Sequence, residues 1–148
     1  MAAADDIHVL NSLIETVIDS EDGYRKAGEA AENPRFKTMF QERAAARAAL
    51  AVKLQTEVRR LGGEPEDNGT ILAKAHRTFL DIKDKVTGRD DKAVIDEVER
   101  GEDFIKAKFK AACEDTGLAP QARQLIEAAR SEVQAQHDEV SALKKSMA

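Results

Sequence analysis

Hydrophobic positions recur along the chain at intervals of three and four, with polar residues filling the spaces between them. A first stripe holds Ile7, Leu10, Ile14, Val17, Ile18 and Tyr24, and a second holds Phe36, Phe40, Leu50, Leu54, Val58 and Leu61. Further on, Val94, Val98, Ile105, Phe109 and Ala112 form one stripe, and Leu125, Ile126, Ala129, Val133, Val140 and Leu143 form another. Spacing of i, i+3, i+4, i+7 marks amphipathic helices that each bury one face. The breakers place the ends. A first helix is predicted from about Asp6 to Glu32. A second starts at the N-cap Asn33 with Pro34 in the first helical position, and stops at Gly62-Gly63. A third covers about Thr70 to Thr87. A fourth, capped by Asp90, reaches about Asp115, and a fifth runs from Ala119-Pro120 almost to the C-terminus. The four longer helices have about 25–29 residues each, roughly 40 Å at the α-helical rise. The pattern predicts an all-α, up-down four-helix bundle in one domain, residues 1–148, with the short third helix as a crossover.

Composition narrows the class. Hydrophobic residues make up 42% of the chain, too many for a disordered protein. With 8 Gly and 3 Pro there are too few turn residues for a β-sandwich. A formal net charge of −5, with the signs interspersed, argues against a nucleic-acid binder. No apolar run approaches the roughly 18 residues of a membrane span, and the acidic start Met1-Ala-Ala-Ala-Asp5-Asp6 lacks the basic region of a signal peptide. The lone Cys113 has no internal disulfide partner. The expected location is the cytoplasm, and Asn68-Gly69-Thr70 reads as a turn into the third helix rather than a glycosylation site.

The informative residues are those that interrupt the stripes. At about 100° per residue, Glu21 falls on the apolar face of the first helix and Glu102 in the middle of the fourth helix's stripe, between Val98 and Ile105. Arg43 and Arg47 lie on the second helix's stripe between Phe40 and Leu50, and His137 lies at the edge of the fifth's. Their heights along an up-down bundle agree within about one or two turns, so four helices direct ionisable side chains into one mid-bundle layer. Two readings fit. In one, Glu21, Arg43, Arg47, Glu102 and His137 form a buried ion network in which each charge is paired. In the other, Glu21, Glu102 and His137 hold a metal, since carboxylates and imidazole projecting into a bundle core build such sites. His76 reads as a packing or hydrogen-bonding residue and His8 as solvated.

Stretches over most of the chain carry a resemblance: Leu10-Asn-Ser-Leu-Ile-Glu-Thr16, Gly23-Tyr24-Arg25, Phe40 through Arg47, Leu61-Gly-Gly-Glu-Pro65, His76-Arg77, Val86-Thr-Gly-Arg-Asp-Asp91, Glu99-Arg-Gly-Glu-Asp103 and His137-Asp138. In them the chain resembles an uncharacterised bacterial ferritin-like family of small four-helix bundles. The resemblance implies a ferritin-like bundle, in a superfamily that includes iron stores and di-iron oxidases. Ferritin-like di-iron sites take one Glu from each of two helices and a Glu-x-x-His from each of the other two. Glu21 and Glu102 match the single Glu positions, and His137 matches a ligand His. Yet the residue three before His137 is Gln134, and the second helix offers Glu42-Arg43-Ala44-Ala45, with Ala where His is required. A guanidinium on the inward face repels a metal ion.

The expected function is therefore a non-catalytic ferritin-like bundle with a structural or interaction role, in stress or metal homeostasis by the resemblance. The alternative is an iron-binding ferritin-superfamily protein or oxidase, with a mononuclear or degenerate di-iron site that takes iron or another divalent metal. No catalytic residue is assigned, because no nucleophile–base pair, nucleotide-binding Gly-rich loop or Cys pair occurs. The partner expected is a further copy of the chain, through Leu72, Phe79 and Phe104; no nucleic acid, membrane, cofactor or known substrate is expected.

Overall fold

The structure is a computed structural model that describes residues 2–67, 91–115 and 117–146, with side chains from Asp5 onward. Four long helices account for nearly all of them: α1 (Ala2–Ala30), α2 (Pro34–Arg60), α3 (Asp91–Cys113) and α4 (Pro120–Ser146). They are the first, second, fourth and fifth helices of the pattern. The predicted crossover, with Leu72, His76, Phe79 and the Asn68-Gly69-Thr70 turn, lies outside the described residues. No strand occurs among the described residues, and no described helix is long and apolar enough to cross a membrane.

Local chemistry sets the helix ends. Asn33 caps α2, its side-chain oxygen accepting from Arg35 N at 2.9 Å, and Pro34 occupies the position where a missing N–H costs nothing. At the other end Gly62 takes φ 87°, which lets Gly62 N donate to Arg59 O and Gly63 N to Val58 O, both at 2.9 Å. This paired closure satisfies the last carbonyls. Gly63 also lets the chain pass α1 closely, since a Cβ there would lie 2.8 Å from Ile7 Cδ1.

Polar contacts between ends give the topology. Asn11 on α1 binds the segment after α2 twice, donating to Glu64 O at 3.1 Å and accepting from Glu66 N at 2.9 Å. The Asp91 carboxylate at the start of α3 accepts from Glu32 N at 2.7 Å and Asn33 N at 3.0 Å, in the α1–α2 turn. Buried Asp6 accepts from Ala119 N, at the head of α4, at 3.2 Å. So α1 and α4 rise together while α2 and α3 descend. α1 packs along α2 and also against α3, α3 packs along α4, and α2 meets α4 more sparingly.

The core falls into two apolar clusters. One, at the end where α1 begins, contains Leu10, Ile14, Val17, Leu50, Leu54, Val58, Ile105, Phe109, Ile126 and Val133. The other, toward the α1–α2 turn, contains Tyr24, Ala27, Phe36, Phe40, Val94, Ile95, Val98 and Val140. Every helix contributes to both. What divides them is a polar layer.

Candidate functional site: a buried ionic layer

Each helix supplies the layer from a position where its apolar stripe is interrupted. On α2 the run Phe40, Arg43, Arg47, Leu50 keeps the helical period, and the neighbouring alanines leave room for two long side chains. On α3 the run is Val98, Glu102, Ile105; on α4 it is Val133, Gln136, Val140; on α1 it is Val17, Ser20, Tyr24. Arg47 and Glu102 have no exposed surface, and Ser20 and Tyr24 are equally enclosed.

Arg47 is the hub. Its Nη2 lies 2.9 Å from Glu102 Oε1 and donates to Gln136 Oε1 at 2.7 Å. Nη1 donates to Ser20 Oγ at 2.8 Å, and Nε to Gln136 Oε1 at 3.2 Å. The Tyr24 hydroxyl donates to Glu102 Oε1 at 2.5 Å. Arg43, close above, donates from Nη2 to Glu139 Oε2 at 2.6 Å, and from Nη1 to Gln136 O at 3.4 Å and Tyr24 Oη at 3.5 Å. Both guanidinium carbons lie over the Tyr24 ring, 5.6 Å away for Arg43 and 5.5 Å for Arg47. The cations attract electron density from the ring face. Two arginines, Glu102 and the rim residue Glu139 balance in charge. Glu102 Oε2 is buried and accepts no hydrogen bond among the described residues.

Burial is the main reason that the Tyr24 hydroxyl holds its proton well above the ordinary tyrosine range, and the Glu102 charge adds to it. The two arginines act in the opposite sense and are outweighed. Tyr24 is therefore a fixed proton donor to the carboxylate, not a phenolate.

The structure brings Arg43, Arg47 and Glu102 together and does not bring Glu21 or His137 to them. Glu21 turns out to pair with Arg25 one turn along α1, with 21% of its side chain exposed. The buried face of α1 runs through Leu13, Val17, Ser20 and Tyr24, and its centre is rotated from Glu21 toward Ser20. His137 faces the α3–α4 rim, its Nε2 2.6 Å from Asp103 Oδ1 and its Nδ1 3.4 Å from Asp138 Oδ1. Among the described residues no three His, Cys, Asp or Glu side chains converge as a metal-binding set. Glu97, beside the same stripe, is also covered and bonds to Arg100. Ser20 and Gln136 are the layer residues that stripe reading passes over. Their signal is present, since each sits at i+3 from a core valine and i−4 from a core residue, yet a neutral polar residue in a stripe stands out less than a charge does.

Residues 5–115 match the model of a family described as a domain of unknown function (DUF2383). A solved structure of a mutant of Dps1 from Mycobacterium smegmatis has the same fold, with a TM-score of 0.83 and 16% identity over 97% of each chain. No curated protein matches the chain.

Proposed function

The chain belongs to this ferritin-like four-helix-bundle family, and on that premise we propose that it is a non-catalytic member that works as a structural or interaction module. In it an internal ion pair stands where ferritin-like bundles carry metal. The observation that supports this reading is the Arg47–Glu102 pair, fully enclosed and tied to α1 through Ser20 and Tyr24 and to α4 through Gln136. A metal centre needs several anionic or imidazole donors free to turn toward one point. Here Glu102 is held by Arg47 and Tyr24, Glu21 by Arg25, and His137 by Asp103. These residues as arranged do not fit the metal that the fold family implies, and no reaction step is assigned to one.

The setting proposed is the cytoplasm, in stress or metal homeostasis, with several copies of the chain associated. Among the described residues the large apolar side chains open to such contacts are Val52, 57% exposed, and Phe104, 43% exposed. Elemental analysis of protein purified without chelator, followed by Fe(II) titration, tests the reading. The expected result is far less than one metal per chain. Tight stoichiometric iron binding by the unmodified protein would overturn it and favour an iron-binding or oxidase role.

A further inference from the structure

The acceptors around Arg47 form a site in their own right. They come from three helices other than its own: Ser20 Oγ and the Tyr24 ring from α1, Glu102 Oε1 from α3 and Gln136 Oε1 from α4. All three guanidinium nitrogens are engaged, at 2.7–3.2 Å. We infer that the layer is a cation site specific for a planar guanidinium group, filled from within by Arg47.

The donor chemistry decides between cation classes. The hard divalent ions take six or more oxygens, several of them charged, and zinc takes four nitrogen, sulfur or carboxylate donors. This site offers one carboxylate, one amide oxygen, the hydroxyls of Ser20 and Tyr24, the second already bonded to Glu102, and an aromatic face that cannot ligate. A guanidinium suits it on each count. It is planar, carries one charge, is weakly hydrated, presents forked donors and stacks on aromatic rings. Truncating Arg47 takes the donor away from Ser20 Oγ, Gln136 Oε1 and Glu102 Oε1, and Tyr24 still holds Glu102. Glu102 Oε2, which accepts no hydrogen bond among the described residues, then becomes available to a cation no longer tethered to α2. A free guanidinium could be held by both carboxylate oxygens, the bidentate geometry that this group favours.

The inference rests on the reading of the layer as metal-free, and the metal content of the unmodified protein tests that reading separately. The experiment is the thermal unfolding of Arg47→Ala in low concentrations of guanidinium chloride, compared with sodium and ammonium chloride at equal ionic strength. Ligand binding to the folded state alone raises Tm by mass action. The expected result is a Tm rise of about 4 °C or more in guanidinium. The unmodified protein, its site already occupied, should show only the small fall that a denaturant causes. An equal rise in all three salts, no rise in guanidinium, or stoichiometric Zn(II) or Fe(II) binding by the variant would overturn the inference. If the variant is recovered unfolded, nitrogen-15 NMR of the unmodified protein decides. The Arg47 Nη protons should then resolve separately and exchange slowly with water, and a single averaged, fast-exchanging signal would overturn the proposal. A metal-free native protein whose variant ignores guanidinium removes this inference and leaves the proposed function standing. Iron in the native protein removes both.

Discussion

Truncating Glu102 leaves the Arg47 guanidinium enclosed with only neutral acceptors, and breaking a buried pair in this way costs about 3–5 kcal/mol in comparable cases. Glu21 is the same side chain at a position where sequence periodicity also points inward, but its partner is the exposed Arg25 on its own helix. Such i,i+4 pairs contribute about 0.3–0.5 kcal/mol. Urea unfolding at neutral pH should therefore separate the two. Glu102→Ala is expected to lose at least about 2 kcal/mol, and Glu21→Ala to stay within about 0.5 kcal/mol of the parent. An unchanged or raised midpoint for Glu102→Ala, with unchanged slope, would mean that the carboxylate repels other charge rather than balancing Arg47. Tyr24 allows an optical test, because it is the only tyrosine in the chain. Its folded pKa is raised above the ordinary 10.0, so the folded state keeps a proton that the unfolded state releases. Its contribution is complete below that ordinary value and falls as pH rises beyond it. The tyrosinate ultraviolet band should appear only as the protein unfolds in alkali. A reversible band near the ordinary value, with helical circular dichroism intact, would contradict the burial of Tyr24 against Glu102.

At the scale of elements, the turn between α1 and α2 depends on two carboxamide or carboxylate groups. Asn33 supplies the cap of α2, and Asp91 reaches from α3 to the backbone of Glu32 and Asn33. Replacing an N-cap Asn with Ala typically costs about 1 kcal/mol, so Asn33→Ala is expected to lower stability by about that amount. The loss should show as a shifted denaturation midpoint with the helical signal intact. Asp91→Ala removes the tie between α3 and that turn, and amide exchange at Glu32 and Asn33 should quicken before exchange in the α2 core does. If both amides kept their protection, the Asp91 contacts would not be what holds the turn.

For the molecule as a whole, the two apolar clusters are separated by a layer that permits only one relative height of the four helices. Sliding α2 one turn one way would set Arg43 opposite Glu102 but carry Arg47 into the cluster of Leu50 and Leu54, and sliding it the other way would leave Glu102 without its cation. An effect on register more than on net stability is expected of such a layer, a role attested for buried polar groups elsewhere. Association is argued from the surface. Val52 and Phe104 are the exposed large apolar side chains of α2 and α3, and they are the positions at which contact between copies is tested. Light scattering at micromolar concentration is expected to give a dimeric or larger mass, and replacing both residues with Ser should lower it. A monomeric mass for the parent across the concentration range would end that expectation.

Much of the architecture is legible in the residue pattern alone. Pro34, the Gly62-Gly63 pair and Pro120 punctuate the chain by local backbone chemistry, and the stripes of three-and-four spacing name most of the buried core. Both act within a few turns of one helix, so no neighbour is needed to read them. That α2 and α3 must bury ionisable groups is legible as well, because Arg47 and Glu102 each lie between core residues of their own helix. What only the tertiary structure decides is who meets whom. Glu21 and Ser20 are adjacent in sequence and about 100° apart on the helix. The packing of α1 buries the serine against Arg47 of α2 and leaves the acid with Arg25. His137 sits at the edge of its stripe, where the packing of α4 against α3 delivers it to Asp103 instead of the layer. Gln136, one residue earlier, takes the place that sequence reading gave to the histidine. Rotation about a helix axis is set by the sum of all contacts with the other helices, and one helix's periodicity does not contain that sum.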